Sequence, residues 1–352
     1  MKKFLTRLLL FFTVTVIVNI VLNNTLPIAG DERFDSRYQY LQQNIKQYNT
    51  LFFGSSRTLR HIIPSAFDSV SRAGNVNTRS YNLGTPANKS LETYTQYERF
   101  LNDYKASGNK NISYAFIEIH PLDGVTNKNM TTRKGYYWMS SSNMKFIWSY
   151  FKSTIHNSKS RLQMCGNYAF AYLLRQIGFN YIDLTKPDPD RQLNIGFKKD
   201  GYISLEDEVK YTNSDDRRKE LTDIREKFEV DSNSLNTRRI AVENEFKTAD
   251  KPQTPPLAHL QKLKQLLEKS SQLGIKLTFV IQPRLGSYTE VLALKAALPQ
   301  NTVIEIANPL THTGLWQVKN AYDVGHMKVA GAKMSTVLLA QQFDNIVKVQ
   351  TP

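Results

Sequence analysis

Five short strand-like runs punctuate this chain: Leu51–Phe53, Arg79–Leu83, Tyr114–Ile119, Ile275–Ile281 and Val303–Ile306. The first four end at turn-forming residues: Gly54, then Gly84-Thr85-Pro86, then His120-Pro121, then Gln282-Pro283. Between them the apolar period changes from two to between three and four. Leu91, Tyr94, Tyr97, Leu101 and Tyr104 follow Ser90, which suits an N-cap, and stop at Gly108. Leu257, Leu260, Leu263, Leu266 and Leu267 form a second such stripe, ended by Gly274 in a helix-terminating position. Val291, Leu292 and Leu294 mark a third helix, and a last one is expected from about Met327 to Phe343. Strands alternating with helices favour right-handed crossovers and a parallel sheet. The expected fold is therefore α/β, a three-layer sandwich around a central parallel five-stranded sheet.

The alternation breaks between Asp123 and Lys251. The first part of that stretch is aromatic and basic, with Tyr136, Tyr137, Trp138, Phe146, Trp148, Tyr150 and Phe151. Its aromatic rings suit packing among themselves or stacking on sugars. The second part, Glu206 to Asp250, is densely charged and reads as helices with a solvated face. The domain scheme is then an amino-terminal segment over 1–30, an α/β domain made of 31–122 and 252–352, and a mainly helical insertion or cap over 123–251.

Lys2, Lys3 and Arg7 precede an apolar stretch from Leu8 to Leu22. A cationic flank before an apolar core is the pattern of an export signal or anchor. Pro27-Ile28-Ala29 before Gly30 is a poor cleavage site, so an uncleaved single-pass anchor is expected, with the remainder extracytoplasmic (periplasmic in a Gram-negative cell). The net charge of +15 suits anionic surfaces or polymers. Its basic residues are dispersed and match no nucleic-acid module, so no nucleic-acid partner is expected. A single cysteine, Cys165, excludes an intrachain disulfide and a cysteine-based zinc site. No cofactor or metal is called for.

Two loops carry the chemistry. Gly54-Ser55-Ser56-Arg57 follows the first strand, where a small residue lets the backbone turn sharply and present a hydroxyl. Asp323-Val324-Gly325-His326 precedes the last helix, at a spacing that lets the carboxylate reach one ring nitrogen and leave the other as a base. In a parallel sheet both loops lie on the edge where α/β proteins bind ligands. His120 and His312 stand at strand ends as rivals. His61, His156 and His259 have no comparable setting, because only His326 has an acid three residues ahead.

This order of motifs resembles the SGNH/GDSL hydrolase superfamily over about Thr50 to Ile119 and Gly274 to Phe343, whose sheet is flavodoxin-like. The resemblance implies Ser56 as nucleophile, Asp323 as orienting acid and His326 as base. The oxyanion hole would be formed by Ser56 and Gly84, with Asn82 as a further candidate. Gly54-Ser55-Ser56-Arg57 with an anchor is similar to the membrane-anchored accessory proteins of cell-envelope polysaccharide O-acylation. The implied activity is that of a serine esterase or O-acyltransferase on an acylated polysaccharide, working beside a membrane-bound O-acyltransferase. One departure stands out: Glu118-Ile119-His120-Pro121 occupies the place of the family's Gly-x-Asn-Asp, whose asparagine donates to the oxyanion. Such a donor contributes about 3 kcal/mol to the barrier. Asn82, Asn88, His120 and Arg57 are the candidate replacements; without one, the fold would persist as a feeble hydrolase or a binding scaffold. Arg57 and Arg284 either hold an anionic substrate or pair with a buried carboxylate.

Overall fold

The computed structural model describes residues 2–25, 32–122, 138–155, 157–176, 190–248 and 254–350. Five parallel strands form one sheet in the order β2-β1-β3-β4-β5, with β1 at Thr50–Phe53, β2 at Ser80–Asn82, β3 at Tyr114–Glu118, β4 at Lys276–Ile281 and β5 at Val303–Glu305. The protein is thus α/β with an all-parallel sheet. The chain moves outward from β1 to β2, then returns past β1 to β3 and continues in that direction. The reversal leaves a crevice outside the carboxyl ends of β1 and β3, the place where doubly wound sheets take their ligands.

Alternation along β1 sends neighbouring rings to opposite faces of the sheet. Phe52 stacks on Phe116 (centroids 4.8 Å apart) and meets Phe67 of the Pro64–Ala73 helix edge-on; Phe67 and Phe116 both pack on Phe343 of the Val329–Gln350 helix. On the other face, Phe53 packs against Tyr97 and Phe100 of the Ser90–Ser107 helix. That helix is tied to the Leu257–Ser271 helix by hydrogen bonds of 2.7 Å, from Tyr94 to His259 and from Tyr97 to Ser270. Helices on both faces make the arrangement compatible with a three-layer sandwich. The tyrosine stripe read from the sequence is this second layer. Its helix starts one residue earlier in function than expected: Lys89 is the N-cap, with Glu92 accepting from its backbone N–H, and Ser90 is the first helical residue. Gly108 closes it with a left-handed φ of 69°.

The chain divides into two compact units, 33–124 with 188–352, which carries the sheet, and 1–32 with 125–187. In the second of these, the helices Ser141–Thr154 and Ser158–Gln176 pack through Phe151, Tyr168 and Trp138, leaving Trp148, Leu162, Phe170 and Leu173 exposed. Tyr136, Tyr137 and His156 lie outside the described residues. A helix covers Lys2–Thr25, and its apolar side chains from Phe4 to Val18 are solvent-facing. Among the described residues, no helix is long and apolar enough to cross a membrane.

The charged stretch from Glu206 onward belongs to the sheet-bearing unit and is more than a solvated face. Glu208, 3% exposed, accepts from Arg60 near the end of the Ser56–His61 helix, from Arg217 at 2.8 Å and from Arg33 at 3.3 Å. Burial alone would raise the Glu208 carboxyl, but these three guanidinium groups bring it down to about 2. Arg225 donates to the carbonyls of Ala321 and Tyr322 at 3.1 and 2.8 Å, and Tyr322 Oη donates to the Leu221 carbonyl. Helical periodicity does not reveal such pins, because they are long side chains on otherwise polar faces.

The packing makes a direct prediction. Phe116→Ala removes a ring held between Phe52, Phe67 and Phe343, and should cost about 3–5 kcal/mol in urea unfolding. Phe170→Ala, at an exposed site, should stay within about 0.5 kcal/mol.

Candidate active site

Ser55 is the N-cap of a short helix, Ser56–His61, and its Oγ accepts from the Arg57 backbone N–H at 3.1 Å. Ser56 is therefore the first helical residue, half-buried at the rim. Gly54 makes the turn possible: a Cβ there would overlap Thr58 Oγ1 and lie 2.7 Å from Glu118 Oε2. Facing this loop is a hairpin-like segment in which Ala321 and Met327 form an antiparallel bridge and Tyr322 N–H donates to the His326 carbonyl at 2.9 Å. Asp323 and His326 thus sit in a tight loop ahead of the last helix, which begins at Val329.

Ser56 Oγ lies 2.8 Å from His326 Nε2, and His326 Nδ1 lies 2.9 Å from Asp323 Oδ2. Asp323 Oδ1 also accepts from the backbone N–H of Gly325 (2.6 Å) and of His326 (2.8 Å). Burial would raise the Asp323 carboxyl, but the hydrogen bond and charge of His326 and the two backbone donors outweigh it and leave it below its ordinary value. Asp323 is accordingly an anion that fixes the Nδ1–H tautomer, which leaves Nε2 as acceptor for the Ser56 proton. A hydroxyl, an imidazole and a carboxylate in this chain are the parts of an activated nucleophile. A narrow pocket lies beside them, lined by His61, Pro283, Arg284, Trp316, His326 and Met327.

The expected oxyanion donors are placed differently. The Gly84 N–H is donated to Asn82 Oδ1 at 2.8 Å, and the Asn82 amide donates to the carbonyls of Thr58 and Ile62, each at 2.8 Å. Asn82 is fully buried and its job is to bind the Ser56–His61 helix to β2. Gly84 is required because a Cβ would collide with the backbone nitrogen of Leu59. Both residues hold Ser56 in place, and their donors are already committed. Asn88 is also internal, donating to Gln96 at 2.7 Å and to the Gly54 carbonyl at 3.4 Å. The Ser56 N–H differs: at the first position of a helix no carbonyl one turn back can accept it. Arg284 lines the pocket, with its guanidinium 5.8 Å from the centre of the Tyr288 ring.

Arg57 and His120 come together around a residue the sequence reading passed over. Glu118, the last residue of β3, accepts at Oε2 from Ser55 N–H (2.8 Å), Ser55 Oγ (2.8 Å) and Thr58 Oγ1 (2.9 Å), and at Oε1 from Arg57 Nε (2.7 Å). Arg57 Nη2 approaches His120 Nδ1 at 2.7 Å, so that nitrogen is the acceptor, and His120 Nε2 lies 3.4 Å from Glu118 Oε1. Burial would raise the Glu118 carboxyl, but His120, Arg57 and the Ser55 N–H hold it well below the usual range. Burial pushes the His120 imidazole down to about 4, against the pull of Glu118 and with the help of Arg57. Arg57 therefore pairs with a buried carboxylate. A glutamate ending an otherwise apolar strand was the available signal, since a buried carboxylate must find donors. His61, without an acidic neighbour in sequence, accepts from the Met327 N–H at 3.2 Å and joins the Ser56 helix to the Asp323–His326 loop. Burial, reinforced by His326 and Arg57, keeps its imidazole well below its ordinary value. His312 stands apart from this cluster, near Gln342. Among the described residues no cluster of three or more His, Cys, Asp or Glu is placed to hold a metal ion.

No protein-family model, curated protein or solved structure matches the chain.

The buried groups fix the sign of the pH dependence. Below the ordinary imidazole value of 6.5, unfolded His120 takes up a proton, whereas folded His120 does so only near 4. Its contribution is full above about 6.5 and is lost as pH falls toward about 4. The depressed Glu118 acts in the same direction, its contribution fading below the unfolded value of about 4.3. Urea midpoints should therefore rise from pH 4 to 6.5, and His120→Gln should flatten that slope.

Proposed function

We propose that this chain is an exported, membrane-anchored serine esterase or O-acyltransferase of the SGNH type. It acts on acyl esters, acetyl above all, of an envelope or extracellular polysaccharide. The observation that carries the reading is the 2.8 Å contact between Ser56 Oγ and His326 Nε2, with Asp323 on the far ring nitrogen. In this reading Ser56 Oγ attacks the ester carbonyl carbon while His326 Nε2 takes its proton. The carbonyl π electrons pass to oxygen, and the Ser56 N–H at the start of its helix faces the resulting negative charge. As the tetrahedral species collapses, His326 returns the proton to the departing alcohol and an acyl-Ser56 ester remains. Water or a sugar hydroxyl, deprotonated by the same imidazole, then accepts the acyl group. The basic composition and the aromatic 138–151 region favour an anionic or sugar-bearing polymer over a small free ester. The apolar side chains exposed along the Lys2–Thr25 helix support the anchor. A membrane-bound O-acyltransferase is the partner such an anchored transferase would work beside.

A second reading is an SGNH-fold scaffold that binds a glycan or an acyltransferase partner with little catalysis of its own. It is favoured by one observation: the donors of Gly84 and Asn82 are spent on holding the nucleophile helix.

Fluorophosphonate treatment followed by peptide mass spectrometry separates the two. The enzyme reading expects a single adduct on Ser56, abolished in Ser56→Ala and reduced about 10³-fold or more in rate by His326→Ala. Absence of any adduct at Ser56 in the folded protein would leave the scaffold.

A further inference from the structure

Glu118 takes no part in the chemistry assigned to Ser56, His326 and Asp323, yet it is heavily bonded at the rim. Its side chain is 2% exposed and accepts four hydrogen bonds, all from the four-residue turn Ser55–Thr58. Thr58 Oγ1 is further steadied by Gln282 Nε2 from the end of β4 at 3.1 Å. A carboxylate with this many donors is far stronger than a surface ion pair, because each donor is fixed and the surroundings are dry. The turn that presents the nucleophile is thus built around a charge supplied by the neighbouring strand.

That charge also determines where Arg57 points. Its guanidinium is held at Nε by Glu118 and at Nη2 by neutral His120, while Nη1 has no hydrogen bond among the described residues. The side chain is 16% exposed, enough to meet a ligand and little enough to keep water from screening it fully. Arg57 directly follows Ser56, and the donors first expected beside that serine, the Gly84 N–H and the Asn82 side-chain amide, are occupied.

Building on the esterase or transferase reading, we propose that Arg57 stabilises the oxyanion formed at Ser56, and that Glu118 is the positioning residue that holds both the serine turn and the guanidinium. When Ser56 Oγ bonds to the carbonyl carbon, its proton goes to His326 Nε2 and the carbonyl electron pair to oxygen. Arg57 then supplies positive charge that the ground-state ester does not need. An interaction of this kind acts on kcat more than on KM.

The test uses the full-length protein, hydrolysis of 4-nitrophenyl acetate, and Ser56 labelling by a fluorophosphonate. Arg57→Gln should lower kcat by about 10²-fold or more with KM changed by less than about threefold, as loss of an oxyanion donor does. Arg57→Lys should fall between Arg57→Gln and the native chain. Glu118→Gln should lower kcat similarly, and the double variant should be no slower than the worse single one. An Arg57→Gln protein with native kcat overturns the proposal, as does a loss confined to KM, which would make Arg57 a ground-state anion binder. If Glu118→Gln does not fold, the Arg57→Lys and Arg57→Gln pair decides alone. Failure of the native protein to label at Ser56 removes the enzyme reading and this inference with it. Normal labelling with indifferent Arg57 variants removes this inference only.

Discussion

A hydrogen bond between residues 270 positions apart, Ser56 and His326, is the contact on which the rest of the molecule depends. Ordering two distant loops costs conformational entropy, so each must be held by groups outside the bond itself. The serine turn is held by Glu118 from β3, by Asn82 from β2 and by Gln282 from β4. The histidine loop is held by Arg225, by its own antiparallel bridge, and by the Met327 N–H bond to His61. Thr336 of the last helix completes the tie: its Oγ1 accepts from Ile63 N–H and its one proton is within reach of the carbonyls of Ala332 and His61, at 2.8 and 3.1 Å. Every strand end near the crevice thus contributes a polar anchor, and the serine turn and the histidine loop are positioned by the scaffold.

The order of the strands explains why these anchors converge. With β1 between β2 and β3, the turn after β1 is reached by side chains from both neighbours, and the reversal of direction leaves it uncovered by a crossover helix. Such a rim accumulates buried polar groups that must satisfy each other. Glu118, Arg57 and His120 do so as one carboxylate, one cation and one neutral imidazole. Removal of any one leaves a buried partner unpaired, a loss larger than that of a surface pair. The same groups make the region sensitive to acid and place charge next to Ser56.

The first four strands were legible because each ends on a residue that halts it, and the parallel sheet then forces the Gly54–Arg57 and Asp323–His326 loops to one edge. The same reasoning could not say which donors near Ser56 were free. Gly84 and Asn82 have the residue types of oxyanion donors, but Asn82 folds back onto the Ser56–His61 helix and accepts from the Gly84 N–H. That choice depends on how closely the helix approaches β2, a packing distance that one-dimensional spacing does not encode. Glu118 was hidden for a related reason: its partners are 60–63 residues away. The charged helices after Glu206 were misleading because Glu208 and Arg225 bury their heads against distant carbonyls and guanidinium groups, which local charge density does not reveal.

The claim at the centre is that Ser56 and His326 act as one unit on a shared proton. A kinetic cycle of Ser56→Ala, His326→Ala and the double variant, on hydrolysis of an acetyl ester, addresses it most directly. Residues that act as a unit give non-additive losses, so the double variant should be no slower than either single one. Losses that multiply, or a His326→Ala protein as fast as the native one, would contradict the account.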